Sequence, residues 1–410
     1  MQLDLFSHVV AAYQKNPDVE LTNQQLYRAV CTTAGISPAE LEVKVPIGAS
    51  GQLHNLKRRQ IRWAQQTLQR LRVVERVKGE RGVWRLTETA KQDLHRAKSG
   101  VKLLAFSTDL GLAIWGPCQD VFKRLEIPIT LSYCSPPYCL RKARSYGNPD
   151  QHEMADFICR ALEPIVENLT EEASVVLNLS NDLFDEGMPS RSLYLERLTL
   201  ALHDRLGLHL MDRLVWWNPS KPPGPVRWAS MTRQQLNCAW EPVLWFAVNP
   251  LRCKSDNRRV LQPHSERHQR LQARGGEVRE AVYGDGAYKL RPGSFGSITE
   301  GRIPRNVIER GHRCAATQEY RAAVNRLGLP AHGAGQPLSV PEFLIQFLTE
   351  PGDLVVDMFG GRCMTGLAAE RNNRRWICTE IMLEYLRGGA ELFRNFPGFS
   401  LNPALAQVGG

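Results

Sequence analysis

One short stretch near the end of the chain constrains the fold most. Residues 354–357 form an apolar run that ends in Asp357, and a glycine turn and a helical stretch follow it. Residues 375–380 then form a second short apolar run that ends in Glu380. A strand, a helix and a second strand in this order predict a βαβ unit, and therefore a parallel sheet.

The same stretch has the residues of a nucleotide-like site. Gly360 and Gly361 allow a ligand to approach the backbone closely, and a carboxylate about 20 residues further on can hold ribose hydroxyls. Glu380 follows Asp357 by 23 residues. Ordinary βαβ packing gives a similar pattern, so the glycine turn alone does not establish a ligand site.

From about residue 125 the chain alternates between buried strands and helices, which predicts an α/β sheet with helices on its faces. The predicted strands are residues 127–133, 175–179, 214–217, 243–248 and 354–357, and the predicted helices include residues 154–166 and 193–206. Between about 249 and 310 the apolar pattern fails and Arg, Gln, Gly and His dominate. We interpret that segment as an insertion within the fold.

A proline-stiffened motif follows the first of these strands. Ser135-Pro136-Pro137-Tyr138 comes directly after the apolar run, where two prolines end strand hydrogen bonding and fix the backbone. A hydroxyl, rigid carbonyls and an aromatic ring are thereby presented at the carboxyl end of a strand, where open α/β sheets bind ligands. Because proline-rich loops are common, the motif needs the support of other segments.

The first hundred residues predict a winged helix. Ile61, Leu68 and Leu71 form an apolar stripe beside the polar positions Arg58, Arg59 and Arg62, and strand-like residues 73–77 and 83–86 flank a glycine-bearing turn. In such a fold a basic helix enters a DNA groove. A protein–protein module with the same fold is the alternative.

Charge indicates a polyanionic partner. The chain has a net charge of +10 and a pI of about 9.2. Residues 1–100 hold 16 Lys/Arg against 9 Asp/Glu, and residues 250–310 hold 13 against 7. Two basic regions thus flank a near-neutral body, although solvated surface would give the same balance.

Other sequence features indicate the cellular compartment and the state of the cysteines. There is no apolar run of 18 residues and no secretion signal, so we expect a cytoplasmic protein. The ten cysteines lack CxxC pairs and Cys/His clusters, so we expect reduced structural thiols and no metal site.

Taken together, the chain resembles the N4-cytosine/N6-adenine DNA methyltransferases, specifically the permuted group whose catalytic motif precedes its cofactor motif, and most closely the N4-cytosine subfamily. The resemblance covers roughly residues 110–395. Its segments, in consistent order, are Ser135-Pro136-Pro137-Tyr138, Tyr146-Gly147, Val175-Val176-Leu177-Asn178, Val215-Trp216-Trp217-Asn218-Pro219, Trp240-Glu241-Pro242-Val243-Leu244-Trp245-Phe246, His332 with Pro337, and residues 357–385.

The resemblance implies a Rossmann-like S-adenosylmethionine-dependent methyltransferase sheet, a winged-helix-like N-terminal domain and an inserted target-recognition region. The implied catalytic residues are Ser135, Pro136, Pro137 and Tyr138, which line the base pocket. The implied S-adenosylmethionine-binding residues are Asp357, Phe359, Gly361, Thr365, Glu380, His332 and Pro337. The implied domains are residues 1–100, 101–248, 249–310 and 311–410, the second and fourth being the two halves of the methyltransferase domain.

The chain departs from the family in the cofactor turn. The family usually has Phe-x-Gly-Ser-Gly-Thr-Thr, whereas this chain has Arg362 and Cys363 at the fourth and fifth positions. We therefore expect both side chains to enter a tight turn. A DNA-binding regulator built on a decayed methyltransferase is the resulting alternative, and an RNA or protein N-methyltransferase is a third.

The expected reaction transfers a methyl group to the exocyclic amino nitrogen of a base flipped out of duplex DNA. Acceptors at Ser135 and Pro136 would favour the pyramidal nitrogen that attacks, and Tyr138 would stack on the base. In the family, Ser at the first position of the Ser-Pro-Pro-Tyr motif usually accompanies methylation of cytosine N4, whereas Asp usually accompanies methylation of adenine N6. Cytosine is therefore the favoured target base, and adenine is the alternative. Pro117-Cys118-Gln119 resembles the nucleophile loop of cytosine-C5 methyltransferases. Those enzymes place this loop after their cofactor motif, whereas here it comes before the cofactor motif, so Cys118 is interpreted as structural.

Candidate DNA contacts lie in both basic regions. They are Arg58, Arg59 and Arg62 in the N-terminal module and Arg252, Lys254, Arg258 and Arg259 in the region where the family places target recognition. Double-stranded DNA is the expected partner. A homodimer and a cognate restriction endonuclease, as part of restriction-modification, are further possible partners.

Overall fold

The computed structural model describes residues 2–14, 20–47, 52–70, 73–77, 79–87, 96–97, 99–123, 125–138, 151–329, 331–332 and 335–406. The Tyr146-Gly147 pair of the resemblance lies outside these residues. Among the described helices, none is both long and apolar enough to cross a lipid bilayer. The described residues also contain no group of three or more His, Cys, Asp or Glu side chains that could hold a metal ion.

The N-terminal module consists of helices around a small sheet. Its helices are Gln2–Gln14, Asn23–Ala34, Pro38–Glu42 and Leu56–Arg70. Its strands are β1 (Leu21–Thr22), β2 (Lys44–Ile47), β3 (Gln52–Asn55), β4 (Val74–Arg76) and β5 (Val83–Leu86). The sheet order is β1-β5-β4, and the antiparallel β4–β5 hairpin forms the wing. The predicted helix and wing are therefore confirmed, whereas the separate β2–β3 hairpin was not predicted.

This module has a core of its own. Ile61 and Leu68 of the helix Leu56–Arg70 are buried against Val9, Val30 and Trp84. Two residues of the apolar stripe recognised in the sequence, Ile61 and Leu68, thus lie on the inner face of that helix, and the third, Leu71, lies outside the described residues.

The rest of the chain is organised around a ten-stranded sheet among the described residues. Its order is β14-β10-β11-β9-β8-β15-β16-β7-β6-β17. The strands are β6 (Leu103–Ser107), β7 (Gly111–Trp115), β8 (Ile129–Cys134), β9 (Leu169–Asn178), β10 (His209–Trp217), β11 (Trp240–Ala247), β14 (Val307–Glu309), β15 (Leu354–Asp357), β16 (Arg375–Glu380) and β17 (Ser400–Leu401). A separate hairpin joins β12 (Ala281–Tyr283) to β13 (Tyr288–Leu290).

The centre of the sheet is parallel. β9, β8, β15, β16 and β7 all run in the same direction, and β10 shares it because it is antiparallel to β11, which is antiparallel to β9. The carboxyl ends of these strands therefore meet at one edge of the sheet, together with the start of β11. We call this the catalytic edge, and the opposite one the amino edge.

Helices cover both faces of the sheet, which explains the continuous apolar runs. Val355 packs in one hydrophobic layer, whereas Leu354 and Val356 pack in the other, because successive side chains of a strand point to opposite faces. The helices are Cys118–Phe122, Met154–Val166, Tyr194–Leu206, Glu266–Ala273, Ala315–Arg326, Ser339–Leu348, Met364–Arg371, Leu383–Ala390 and Pro403–Ala406, and shorter turns are Val226–Met231, Asn257–Val260 and Glu391–Phe393. The predicted α/β sheet with helices on both faces is confirmed.

Candidate active site

A cavity of about 810 Å³ opens at the catalytic edge. Its wall includes the Ser-Pro-Pro-Tyr motif that follows β8 and the glycine turn that follows β15. β8 and β15 are parallel neighbours, with Leu131 opposite Val355. The prediction that these two loops, more than two hundred residues apart in sequence, lie side by side is therefore confirmed.

Asp357 forms the floor of one half of the cavity. Its Oδ1 accepts a hydrogen bond from the Phe359 amide at 2.9 Å, and its Oδ2 accepts one from Thr365 Oγ1 at 2.5 Å. The carboxyl is only 3% exposed, and burial raises its pKa to about 6. Phe359 lies beside it, stacked on Phe157 with ring centroids 5.7 Å apart.

Glu380 ends the neighbouring strand and braces the same turn. Its Oε2 accepts from the Gly361 amide and its Oε1 from the Met382 amide, both at 2.8 Å. Burial raises its pKa to about 7. Since a carboxylate offers about four acceptor positions, two remain for hydroxyls of a ligand. A cation beside Asp357 and Glu380 would favour their ionised forms, so this half of the cavity fits a positively charged nucleoside.

Gly361 allows the turn to pass close to His332. Its φ is +53°, and a Cβ there would come within 3.0 Å of His332 Nε2. The His332 ring packs edge-on against Tyr385 at 4.6 Å. Pro337, the remaining predicted cofactor residue, is buried and is not in the cavity wall, whereas its neighbour Gln336 borders the cavity.

The structure shows what the two unusual turn residues do. The Arg362 guanidinium donates to Thr317 Oγ1 and to the Gln336 carbonyl, both at 3.1 Å, and lies over the Tyr320 ring. It therefore ties the turn to the helix Ala315–Arg326 in the cavity wall. Cys363 has φ of +60°, the left-handed region that favours glycine, which explains why the family has glycine at this position.

The other half of the cavity is built around Tyr138. Its hydroxyl lies 3.0 Å from Ser135 Oγ, 3.0 Å from Asn178 Nδ2 and 3.3 Å from Glu241 Oε2. Asn178 Nδ2 also donates to Glu241 Oε2 at 3.0 Å. Burial, followed by the nearby Glu241 carboxylate, raises the pKa of Tyr138 well above its usual value, so its ring is held as a neutral phenol. Pro136 and Pro137 border the cavity beside it.

Several residues of this half have no role predicted from the sequence, although Asn178 and Glu241 lie in segments of the resemblance. Glu241 pairs with Lys221, whose Nζ is 3.6 Å from Glu241 Oε1, and both border the cavity with Asn178. His312 packs edge-on against Trp216 at 5.0 Å. Asn178 ends one apolar run and Glu241 begins another, so a polar residue at a strand end was the available signal.

Cys118 also borders the cavity, at the start of the helix Cys118–Phe122. Burial raises the pKa of its thiol to about 12. A thiol of this kind stays protonated at neutral pH and is a poor nucleophile. This agrees with its interpretation as a structural residue.

The four predicted DNA contacts between 252 and 259 lie at the amino edge, away from the cavity. Arg252 pairs with Glu171, near the start of β9, and Lys254 Nζ lies 2.9 Å from Asp353, just before β15. Arg259 donates to the carbonyls of residues 347 and 349, and Arg258 pairs with its neighbour Asp256. The pairs of Arg252 and Lys254 join the segment after β11 to the sheet. A role of the four residues in DNA binding stays a prediction that their position does not favour.

The three arginines of the N-terminal helix differ in their contacts. Arg58 pairs with Glu42 and lies over the Tyr27 ring, and Arg62 bonds to Asn23 and lies over the Trp84 ring. Arg59 is exposed. It is therefore the one of these three most available to a phosphate.

Two family models match the chain. A DNA methylase model of the N6/N4 type matches residues 129–391, and a model described as the Mrr N-terminal domain matches residues 4–96. The type II methyltransferase M.PvuII of Proteus hauseri is 35% identical over 296 residues, covering 70% of this chain and 85% of that protein.

Solved structures give similar matches. The structure of PvuII DNA methyltransferase (cytosine-N4-specific) matches with a TM-score of 0.55 and 29% identity, covering 71% of this chain and 90% of that one. The structure of the M1.HpyAVI–SAM complex matches with a TM-score of 0.43 and 14% identity, covering 70% of this chain and 100% of that one.

Proposed function

The chain belongs to the N6/N4 DNA methylase family and is an S-adenosylmethionine-dependent DNA amino-methyltransferase, and we propose that its target is N4 of cytosine in duplex DNA. The observation that carries this proposal is a cavity whose wall contains both Ser135 and Tyr138 and the carboxylates of Asp357 and Glu380. The similarity to a cytosine-N4-specific enzyme supports cytosine over adenine, as does serine at the first position of the motif.

The cofactor half is proposed to hold S-adenosylmethionine, which supplies a methyl group already activated on a sulfonium. Glu380 would accept hydrogen bonds from the ribose hydroxyls with the positions that its two backbone partners leave free. Asp357, held by Thr365, would lie near the positive charge, and Phe359, Gly361 and His332 would enclose the ligand. Pro337 would act indirectly by fixing Gln336.

The base half is proposed to orient the amino group. Ser135 Oγ can donate to Tyr138 and accept from the amino group, and the Pro136 carbonyl is a second acceptor on a rigid backbone. Acceptors arranged for a pyramidal nitrogen bind the transition state better than the planar base. Asn178 and Glu241 fix the Tyr138 ring, so that it can stack on the extruded base.

We propose a role in DNA binding for two of the domains predicted from the sequence. Residues 1–100 would add a second DNA contact through Arg59, and residues 249–310 would supply target recognition from their exposed part. A homodimer and a cognate restriction endonuclease stay predictions.

Product analysis tests the target base directly. Duplex DNA is incubated with the protein and methyl-labelled S-adenosylmethionine, digested to nucleosides and analysed by mass spectrometry, and the modified positions are mapped by sequencing. We expect N4-methyldeoxycytidine. Detection of N6-methyldeoxyadenosine instead would show that the target base is adenine. DNA binding without any methyl transfer would favour the alternative of a DNA-binding regulator.

Variants test the site within the same assay. Ser135→Ala is expected to lower the transfer rate about 100-fold, the effect of losing one preorganised hydrogen-bond partner of the transition state, with duplex affinity unchanged. Ser132→Ala is the matched control, because Ser132 is buried on β8, three residues before Ser135, and lies outside the cavity wall. Equal rates for the two variants would contradict the role of Ser135.

A further inference from the structure

The loop that joins β10 to β11, residues 218–239, projects from the catalytic edge. β10 ends and β11 begins at this edge, and Lys221 and Pro222 near the start of the loop border the cavity. The loop therefore begins beside the base half of the site and extends outward from it.

Internal hydrogen bonds hold this loop in a defined shape. The Cys238 amide donates to the Gly224 carbonyl at 2.7 Å, and the amides of Gln234 and Gln235 both donate to the Trp228 carbonyl. Trp228 is buried at its base. Gln235 Nε2 also donates to the Pro189 carbonyl at 3.0 Å, which joins the loop to the segment after β9. A loop braced in this way can present side chains at fixed positions.

The side chains that it presents are apolar and basic. Met231 is 74% exposed, Leu236 is 87% exposed and Val226 is 62% exposed. The loop contains Lys221, Arg227 and Arg233 and no Asp or Glu. Exposed apolar side chains among cations, with no acidic residue, match a partner with a negatively charged surface and an apolar interior.

Duplex DNA has this combination of a phosphate surface and stacked bases. Because the target base must leave the stack to reach the cavity, the duplex must lie against the catalytic edge, from which the loop projects. Extrusion leaves a gap between neighbouring bases, and proteins that distort DNA commonly insert Leu or Met side chains between base steps.

We propose that Met231 and Leu236 enter the duplex beside the target base and stabilise its extruded state, while Arg227 and Arg233 contact the flanking phosphates. This inference rests on the proposed function, since it requires a base that is flipped out of a duplex. It makes the loop a positioning element, distinct from the groups that touch the reacting nitrogen.

The test compares paired and unpaired targets. Single-turnover transfer is measured on two duplexes that contain the mapped target, one with the cytosine paired to guanine and one with an abasic site opposite it. Because each unstacked step costs a few kcal/mol, the Met231→Ala/Leu236→Ala double variant is expected to lose about 30-fold in rate on the paired duplex. On the duplex with the unpaired target, which flips more easily, we expect a loss of less than about 3-fold.

A second readout does not depend on methyl transfer. With S-adenosylhomocysteine bound, 2-aminopurine in place of the target base should fluoresce strongly with the wild-type protein and weakly with the double variant on the paired duplex. Leu251→Ala is the matched control, because Leu251 is 96% exposed but follows β11 at the amino edge. It should leave rate and fluorescence unchanged.

Three outcomes would overturn the inference. They are equal losses on the paired and unpaired duplexes, no loss on either, and a change of oligomeric state in the double variant, which would assign the apolar side chains to a second copy of the chain. The failures are distinguishable, because a wild-type protein that transfers no methyl group to DNA would refute the proposed function itself.

Discussion

Replacing Glu380 by Gln should make the stability of the protein less dependent on pH and weaken its binding of the cofactor. Burial moves the pKa of this carboxyl from 4.5 to about 7, which corresponds to about 3 kcal/mol of unfavourable ionisation above pH 7. Because the folded-state pKa is raised, the stability contributed by the protonated group is complete below pH 4.5 and is lost as the pH rises through 7. A neutral glutamine avoids that loss, but its single acceptor oxygen can serve only one of the Gly361 and Met382 amides, which lowers stability by about 1–3 kcal/mol at every pH.

The expected change in the free energy of unfolding therefore depends on pH. Its pH-dependent part favours the variant by about 3 kcal/mol at pH 8 and by about 1 kcal/mol at pH 5.5, where the wild-type carboxyl is protonated in the folded state but mostly ionised in the unfolded chain. Affinity for S-adenosylhomocysteine should fall about 10- to 100-fold, since a hydrogen bond to a charged acceptor contributes about 1.5–3 kcal/mol.

Urea denaturation at the two pH values and calorimetric titration with S-adenosylhomocysteine at pH 8 measure both effects. Glu370→Gln is the matched control, because Glu370 is a buried carboxylate outside the cavity wall that accepts from Thr108 and Trp376. It should lower stability and leave affinity unchanged. A stability difference between Glu380→Gln and the wild type that is the same at both pH values would refute the raised pKa, and an unchanged affinity would refute the role of Glu380 in ribose binding.

Four further predictions follow from single residues. Cys363→Gly should be about 1 kcal/mol more stable to urea than Cys363→Ala, because both lose the thiol and only glycine is unstrained at positive φ; equal stability would contradict this. Arg59→Ala should lower the slope of log Kd against log salt by about 1, whereas Arg58→Ala, already paired, should change it less; no change with Arg59 would favour an interaction module. Lys254→Ala should lower the thermal midpoint of unfolding and leave DNA affinity unchanged, and weakened DNA binding would support the original prediction that Lys254 contacts DNA. Cys118→Ser should retain transfer within about 3-fold, since the thiol is protonated, and loss of activity would contradict a structural role.

The centre of the fold could be predicted because its strands are buried on both faces. Such strands are recognisable as continuous apolar runs, and a polar residue at the carboxyl end, as with Asp357 and Glu380, indicates the functional edge. β14 and β17 could not be predicted in this way, because they are two or three residues long and acquire their strand geometry only by pairing with β10 and β6.

The placement of charge was harder to predict than the fold. Arg252 and Lys254 lie in a basic segment, but their partners Glu171 and Asp353 are about 80 and 100 residues away in sequence. The composition of a segment gives the number of its basic residues, but it does not indicate which carboxylates the fold brings next to them. The roles of Asn178 and Glu241 could not be predicted for a related reason, since their contact with Tyr138 depends on how β9 and β11 pair.

The pairing of β8 with β15 has a consequence for how the protein is made. These adjacent central strands are separated by more than two hundred residues, so a ribosome releases β8 long before its neighbour exists. Closing so large a loop is entropically costly, and pairing between distant segments forms slowly. The apolar side of β8 that pairs with β15 therefore stays unpaired during synthesis. We expect chaperone dependence to be greatest while residues 249–350 are being synthesised.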